Sequence, residues 1–331
     1  MKSLVERLTQ TFAPSGYEEA IRAVIWEEIA ASVDEVRVDR LGNLIARKGT
    51  KREGGVRILV AAHMDEIGLI ATHIEEKGYV RFTSVGGVWV HTLIGGRVRF
   101  LNGTPGVIHV DQDEDLDHLP AMDKLFIDVG ATSAADCPLR VGDIAAFERP
   151  FLEMGRRWVA KSMDDRIGVA VMIEALRTLK ETPNEVYFVF TVQEEIGTRG
   201  AAPAAFALEP DLALAVDVTN TGDRPGGKMA VALGKGPAIK IRDGGMIADP
   251  KVVQWMVETA ERAGIPYQRE VLLGGTTDAR AIQLARAGVP SGCLSIPCRY
   301  LHSPSEMVDA EDVQNAIRLL VNLLASPLSI P

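Results

Sequence analysis

The sequence predicts an α/β fold, a mixed sheet sandwiched by helices, with a small all-β domain inserted into it. Three observations carry this. Strand-like and helix-like segments alternate at both ends of the chain, which is the pattern of helices packed on both faces of one sheet. The run VRILVAA at 56–62 is apolar without alternation, as suits a strand covered on both faces. From about residue 71 to 158 short strand-like pieces are separated by glycines, and no convincing long helix appears. The expected division is an α/β domain of residues 1–70 and 159–331, split by a β insert at 71–158.

The elements follow in order. MKSLVERLTQTF at the start reads as an amphipathic helix and not as a signal peptide, since it lacks an unbroken apolar stretch and a small-residue cleavage site. Ser15-Gly16-Tyr17-Glu18 has the pattern of a capping box and is expected to open a helix through about Ala31. Strands are expected at 36–38, 43–47 and 56–62. In the insert they are expected at 79–84, 97–101 and 104–109. The acidic stretch at 111–117 (DQDEDLD) lacks the glycine and later glutamate of a calcium loop and reads as a solvated loop. Beyond the insert, 165–178 reads as helix, and 185–193 (EVYFVFTVQ) as a strand rich in aromatic and β-branched residues. A strand is expected at 211–218, helices at 250–263 and 277–287, a strand at 291–296 and a closing amphipathic helix at 309–324. Thr277 or Asp278 would cap the second of those helices.

Composition narrows the function. The chain has 331 residues, 47% hydrophobic and 24% charged, the balance of a globular protein rather than a disordered or collagen-like one. Lys and Arg number 36 against 45 Asp and Glu, a net charge of −9, which argues against nucleic acid as the main partner. No apolar run reaches the length needed to cross a bilayer, so no membrane association is expected. Cys137, Cys293 and Cys298 form neither a disulfide framework nor a CxxC thiolate site. A cytoplasmic location is the expectation.

The chemistry gathers at strand ends. His63 and Asp65 follow the 56–62 run, Glu194 and Glu195 follow the 185–193 run, Asp217 lies near the end of the 211–218 run, and His302 follows the last strand. Asp164 begins the helix after the insert. In open α/β sheets ligands bind outside the carboxyl ends of strands. Two histidines and several carboxylates at one sheet edge, with Arg166 as the only basic residue expected nearby, would repel one another unless cations sat among them. Nitrogen and oxygen donors without thiolate suit zinc, cobalt or manganese. Five ligands are too many for one catalytic zinc and the right number for two ions that share a carboxylate. Within a strand, neighbouring side chains point to opposite faces. One of Glu194 and Glu195 could then hold metal while the other faces water as a base.

These motifs, His63-Met64-Asp65, Asp164-Asp165-Arg166, Glu194-Glu195-Ile196-Gly197, Asp217-Val218-Thr219 and His302-Ser303-Pro304-Ser305-Glu306, resemble in order those of the M42 family of dinuclear metallo-aminopeptidases, the tetrahedral, deblocking or glutamyl aminopeptidases. The resemblance spans essentially the whole chain. It implies a metallo-exopeptidase type of α/β fold with a PDZ-like insert that serves assembly. It implies two divalent ions, zinc being the first choice, with Asp164 bridging, His63 and Asp217 completing one site, and Glu195 and His302 the other. Glu194 would be the general base, and Asp65 would orient His63. Gly274-Gly275-Thr276-Thr277-Asp278 resembles the family's loop beside the substrate pocket. Implied partners are peptides with a free N-terminus and further copies of the chain, up to a tetrahedral dodecamer. A metal-dependent deacylase would share every ligand. A glycosidase reading ranks low, because it needs carboxyls about 5–10 Å apart across the scissile bond and adjacent glutamates make a poor pair. An assembly protein without catalysis ranks lowest, since every ligand position and the base are filled.

Overall fold

The computed structural model of the protein describes residues 1–112, 114 and 117–327. Helices α1 (Lys2–Gln10) and α2 (Glu19–Ile29) precede strands β1 (Glu35–Val38), β2 (Leu44–Lys48) and β3 (Arg57–His63). Strands β4 (Gly68–Ile74), β5 (Val80–Val85), β6 (Arg97–Phe100), β7 (Pro105–Val110), β8 (Leu125–Asp128) and β9 (Ile144–Phe147) follow. Next come β10 (Leu152–Met154), β11 (Arg157–Ala160), α3 (Met163–Thr178), β12 (Glu185–Thr191), α4 (Ala201–Leu208) and β13 (Leu212–Asn220). The chain continues through β14 (Ala238–Arg242), α5 (Pro250–Arg262), β15 (Gln268–Val271), α6 (Asp278–Gln283), β16 (Ser291–Arg299), β17 (Glu306–Asp309) and α7 (Ala310–Ala325).

An eleven-stranded mixed sheet runs in the order β1-β2-β12-β3-β13-β16-β17-β11-β10, with β14 added to β16 and β15 to β14. The four central strands, β12, β3, β13 and β16, are parallel, so their carboxyl ends open on one edge. The chain places β12 on one side of β3 and β13 on the other. That reversal leaves a crevice beyond the strand ends, where ligands bind in open α/β sheets.

Strand β3 shows why the apolar run at 56–62 does not alternate. Ile58, Val60 and Ala62 pack into the larger core under α1, α2, α3, α5 and α7. Leu59 and Ala61 pack into a second core under α4 and α6. Both faces are covered, so both sets of side chains are apolar. Within the insert, β4-β5-β8-β7-β6-β9 close into a small barrel with its own core around Leu69, Phe82, Phe100 and Phe147. The barrel begins at Gly68 and its last strand ends at Phe147, whereas β10 and β11 extend the edge of the large sheet. Among the described residues no helix is long and apolar enough to cross a membrane.

Several local expectations differ from the structure. The capping box does not form: α2 starts at Glu19 with no side-chain cap, because Ser15 and Glu18 are recruited by the site described below. The helix expected at 277–287 is only Asp278–Gln283, capped by the Thr277 hydroxyl accepting from the Ala279 N–H. The short α4 was not expected from the sequence; its alanines carry no clear polar face. In the acidic stretch, Asp111 pairs with Arg81 and Glu114 with Lys124, while Asp113, Asp115 and Leu116 lie outside the described residues.

Candidate metal centre

The parallel strands deliver their side chains to one place. His63 is the last residue of β3, in register with Thr191 at the end of β12. Asp217 lies in β13 beside Ser295 of β16. His302 follows β16 in a turn, with φ +60°. Asp164 comes from the start of α3, where residues 164 and 165 are non-helical and regular helix begins only after them. Asp165 Oδ1 accepts from the Gly168 N–H at 3.0 Å, so Asp165 acts as the helix cap.

Asp164 stands between the histidines. Its Oδ1 is 2.9 Å from His63 Nε2 and its Oδ2 is 3.4 Å from His302 Nε2. His302 Nε2 is also 3.6 Å from Glu195 Oε2. Donor atoms of His63, Asp164 and Glu195 lie within 4.8 Å of one another, as do those of His63, Asp165 and Asp217. All five residues expected as ligands therefore come together, and Asp165, quoted in the sequence only as a motif neighbour of Asp164, joins them. The sequence shows only that a second aspartate follows Asp164.

Glu194 and Glu195 are not in a strand. Strand β12 ends at Thr191, Gln193 turns the chain with φ +56°, and the N–H groups of Gly197 and Thr198 both donate to the Glu194 carbonyl. The alternation of a strand does not apply beyond that left-handed residue, and both glutamates line the same cleft.

The supporting contacts converge on Asp65, which is fully buried. Its Oδ1 lies 3.3 Å from His63 Nδ1 and accepts from the Glu194 N–H at 3.0 Å. Its Oδ2 accepts from the Ser15 hydroxyl at 2.6 Å and the Glu195 N–H at 3.2 Å. One carboxylate thus holds the main chain of both glutamates and lies beside the ring of His63. Glu18 adds to this by accepting the Gln193 N–H at 3.1 Å. Nothing local in the sequence marks Ser15 or Glu18 for this role, because their partners come from β3 and from the turn after β12. Replacing Ser15 by Ala removes the hydroxyl donor from a buried carboxylate. It is expected to lower stability by about 1–3 kcal/mol, a fall of several degrees in Tm by calorimetry.

The electrostatics of the cluster are unfavourable for protein groups alone. Burial, then the charge of Asp164, pushes Glu195 up to about 8 and Asp217 up to about 8. Burial also raises Glu194 well above the carboxylate range, with Asp278, Asp217 and Glu195 adding to it and His63 opposing. Asp278, behind them, is pushed by burial to about 6 although Thr191 donates to it. Burial opposes charge on His302, but Asp164 and Glu195 outweigh it and raise it to about 10. Asp164 is held well below the usual range, against burial, by its contacts with His302 and His63. Several carboxylates crowd where they cannot all ionise, and Glu195 Oε1 is buried without a hydrogen-bond partner. Divalent cations among these oxygens and nitrogens would relieve both conditions. The donor set fits them.

The basic surroundings differ from expectation. Arg166 is fully buried but donates to the carbonyls of Leu8, Thr11 and Ala13. Two further buried cations lie close: Lys161, paired with Glu66, and Lys240, paired with Glu270 and lining the cleft. The cleft has a volume of about 1160 Å³ and is walled by the barrel at Trp89 and His91 and by the loop at Gly275, Thr276 and Thr277. A cleft of this size with convergent polar groups at its floor is the usual form of a substrate site.

Comparison with known proteins gives a consistent set. A family model described as M42 glutamyl aminopeptidase matches residues 42–319. A putative aminopeptidase of Acetivibrio thermocellus is 47% identical over 328 residues, covering 98% of this chain and 98% of the relative. The solved aminopeptidase APDkam598 from the archaeon Desulfurococcus kamchatkensis superposes with a TM-score of 0.94 at 43% identity, covering 98% of this chain and 94% of that one. The TET1 peptidase of Pyrococcus horikoshii, which can assemble into a tetrahedron or a large octahedral shell, superposes with a TM-score of 0.89 at 35% identity, covering 98% of each chain.

Proposed function

The chain belongs to the M42 glutamyl aminopeptidase family, and on that premise we propose that it removes N-terminal residues from peptides with two divalent ions, held by His63, Asp164, Glu195, Asp217 and His302, and with Glu194 as general base. The observation that carries this reading is the Asp164 carboxylate, which presents one oxygen to His63 and the other to His302. Asp165 is the poorer bridge because Oδ1 already accepts from the Gly168 N–H.

Zinc, cobalt or manganese in such a site supplies Lewis acidity, which acidifies water and polarises a carbonyl. Glu194 takes a proton from the attacking water on a carboxylate oxygen as the new C–O bond forms. It then delivers that proton to the nitrogen of the breaking C–N bond, so the leaving group departs as a neutral amine. Asp65 holds the Glu194 main chain so that this transfer occurs at fixed geometry.

The chain also assembles with copies of itself, as the Pyrococcus horikoshii protein does. In support, β10 is an outer strand of the large sheet and exposes Leu152 and Met154 at its edge. The barrel, an insert of PDZ-like type, stands outside the peptidase domain with a separate core.

The test pairs metal analysis of protein purified without added metal with hydrolysis of amino-acid p-nitroanilides and of their N-acyl counterparts. About two ions per chain and cleavage confined to free-amine substrates is the expected result. Cleavage of N-acyl substrates alone would replace the aminopeptidase with a deacylase. Failure to take up any metal would overturn the ligand assignment.

A further inference from the structure

Glu306 opens β17 and is 1% exposed. Its carboxylate accepts two backbone hydrogen bonds, Oε2 from the Asp164 N–H at 2.9 Å and Oε1 from the His302 N–H at 2.8 Å. Neither amide lies in regular structure: Asp164 has φ −76° and ψ 107° at the irregular start of α3, and His302 has φ +60°. A left-handed residue other than glycine costs about 1 kcal/mol or more and persists only where its surroundings hold it. The side chains of the same two residues approach one another, with His302 Nε2 3.4 Å from Asp164 Oδ2. The two residues are therefore linked twice, through their side chains and, by way of Glu306, through their main chains.

We propose that Glu306 is a positioning residue, whose carboxylate clamps the main chains of Asp164 and His302 and so sets the separation of the two side chains at the cation site completed by Glu195 and His302, taken here as the second to fill. The proposal rests on the ligand assignment made under the proposed function. A carbonyl oxygen could satisfy either amide by itself, whereas a carboxylate satisfies both at one fixed spacing. The anchor for this spacing is rigid. Glu306 pairs with Ala160 across β17 and β11, and β11 leads into Asp164 while β17 follows His302. Both clamped amides leave the same end of one strand pair. Among the described residues no Lys or Arg forms an ion pair with Glu306, so its two oxygens remain committed to these amides.

The experiment uses Glu306→Gln, which keeps the volume and one acceptor but turns an NH2 toward the second amide. Metal-free wild type and variant are titrated with cobalt(II) alone, followed by visible absorption and calorimetry. The expected result is a second equivalent bound about 10–100-fold more weakly, with the first changed less than about threefold. With saturating cobalt, kcat should fall while KM stays near the wild-type value. A merely structural role would lower the Tm of the metal-free variant and leave the ratio of the two cobalt affinities unchanged, and that outcome overturns the proposal. If Glu306→Gln does not fold, Glu306→Asp takes its place, keeping both oxygens on a shorter arm. Selective weakening of the second equivalent supports the clamp, and equal weakening of both overturns it. Wild type that takes up no cobalt removes the ligand assignment, and this inference with it. Wild type that binds two equivalents beside an unaltered variant removes this inference only.

Discussion

Glu194→Gln is expected to lower kcat by about 10²–10⁴-fold while bound metal and KM stay near wild-type values. The substitution is close to isosteric, and the contacts that place residue 194 are made by its main chain: the N–H donates to Asp65, and the carbonyl accepts from Gly197 and Thr198. What is lost is an oxygen that can accept and release a proton. Burial raises Glu194 well above the usual carboxylate range in the metal-free chain, as suits a group that takes a proton and gives it back. Cations bound beside it would lower it again, so the acid limb of the kcat–pH profile should report this group and vanish in the variant. Metal analysis and steady-state kinetics on one preparation decide the matter. Loss of metal would make Glu194 a ligand, and retained activity would make it a bystander.

Removing the metals is expected to abolish hydrolysis and to reverse how stability depends on pH. In the metal-free fold Glu195 and Asp217 titrate near 8, but unfolded carboxyls titrate near 4. Between those values the folded chain binds more protons than the unfolded one, so stability falls as pH rises. His302, raised to about 10, acts in the same sense from about 6.5 upward. Asp164 acts oppositely, since its lowered value favours the folded state only above the ordinary aspartate range and that contribution is lost in acid. From about pH 5 to 8 the metal-free protein should therefore lose a few kcal/mol of stability. With metal present the trend inverts, because protonating the ligands drives metal off as pH falls. Thermal melts with and without chelator across that range should show two curves that diverge as pH rises. Parallel curves would mean that the cluster does not hold the ions.

Much of the fold was legible because burial leaves a periodic trace. The unalternating run that became β3, the amphipathic spacing of α7 and the glycine-separated strands of the barrel each follow from which faces are covered. The residues of the polar cluster were legible too, since polar residues at the ends of apolar strands stand out. Contacts to main chain were not. Ser15 and Glu18 carry a helix-cap pattern, yet they bind Asp65 and the Gln193 amide, because satisfying a buried carboxylate and a buried N–H outweighs a cap at a partly solvated helix end. Glu194 and Glu195 read as strand residues until Gln193 turned the chain.

The layer architecture, the apolar cover of the strands and the polar residues at the strand ends could all be read from periodicity and composition. That residues 63, 164, 195, 217 and 302 gather at one sheet edge was expected, but the contacts among them depend on the order β12-β3-β13-β16, a pairing between distant segments that the folded chain alone displays. The fold likewise makes Asp65 shared among three segments, buries Lys161 and Lys240 nearby, and lets Glu306 join Asp164 to His302, none of which leaves a mark in the sequence. The difference is one of range. Periodicity records how each residue meets solvent, whereas the partner of a buried polar group is whichever distant segment the folded sheet brings within hydrogen-bonding distance.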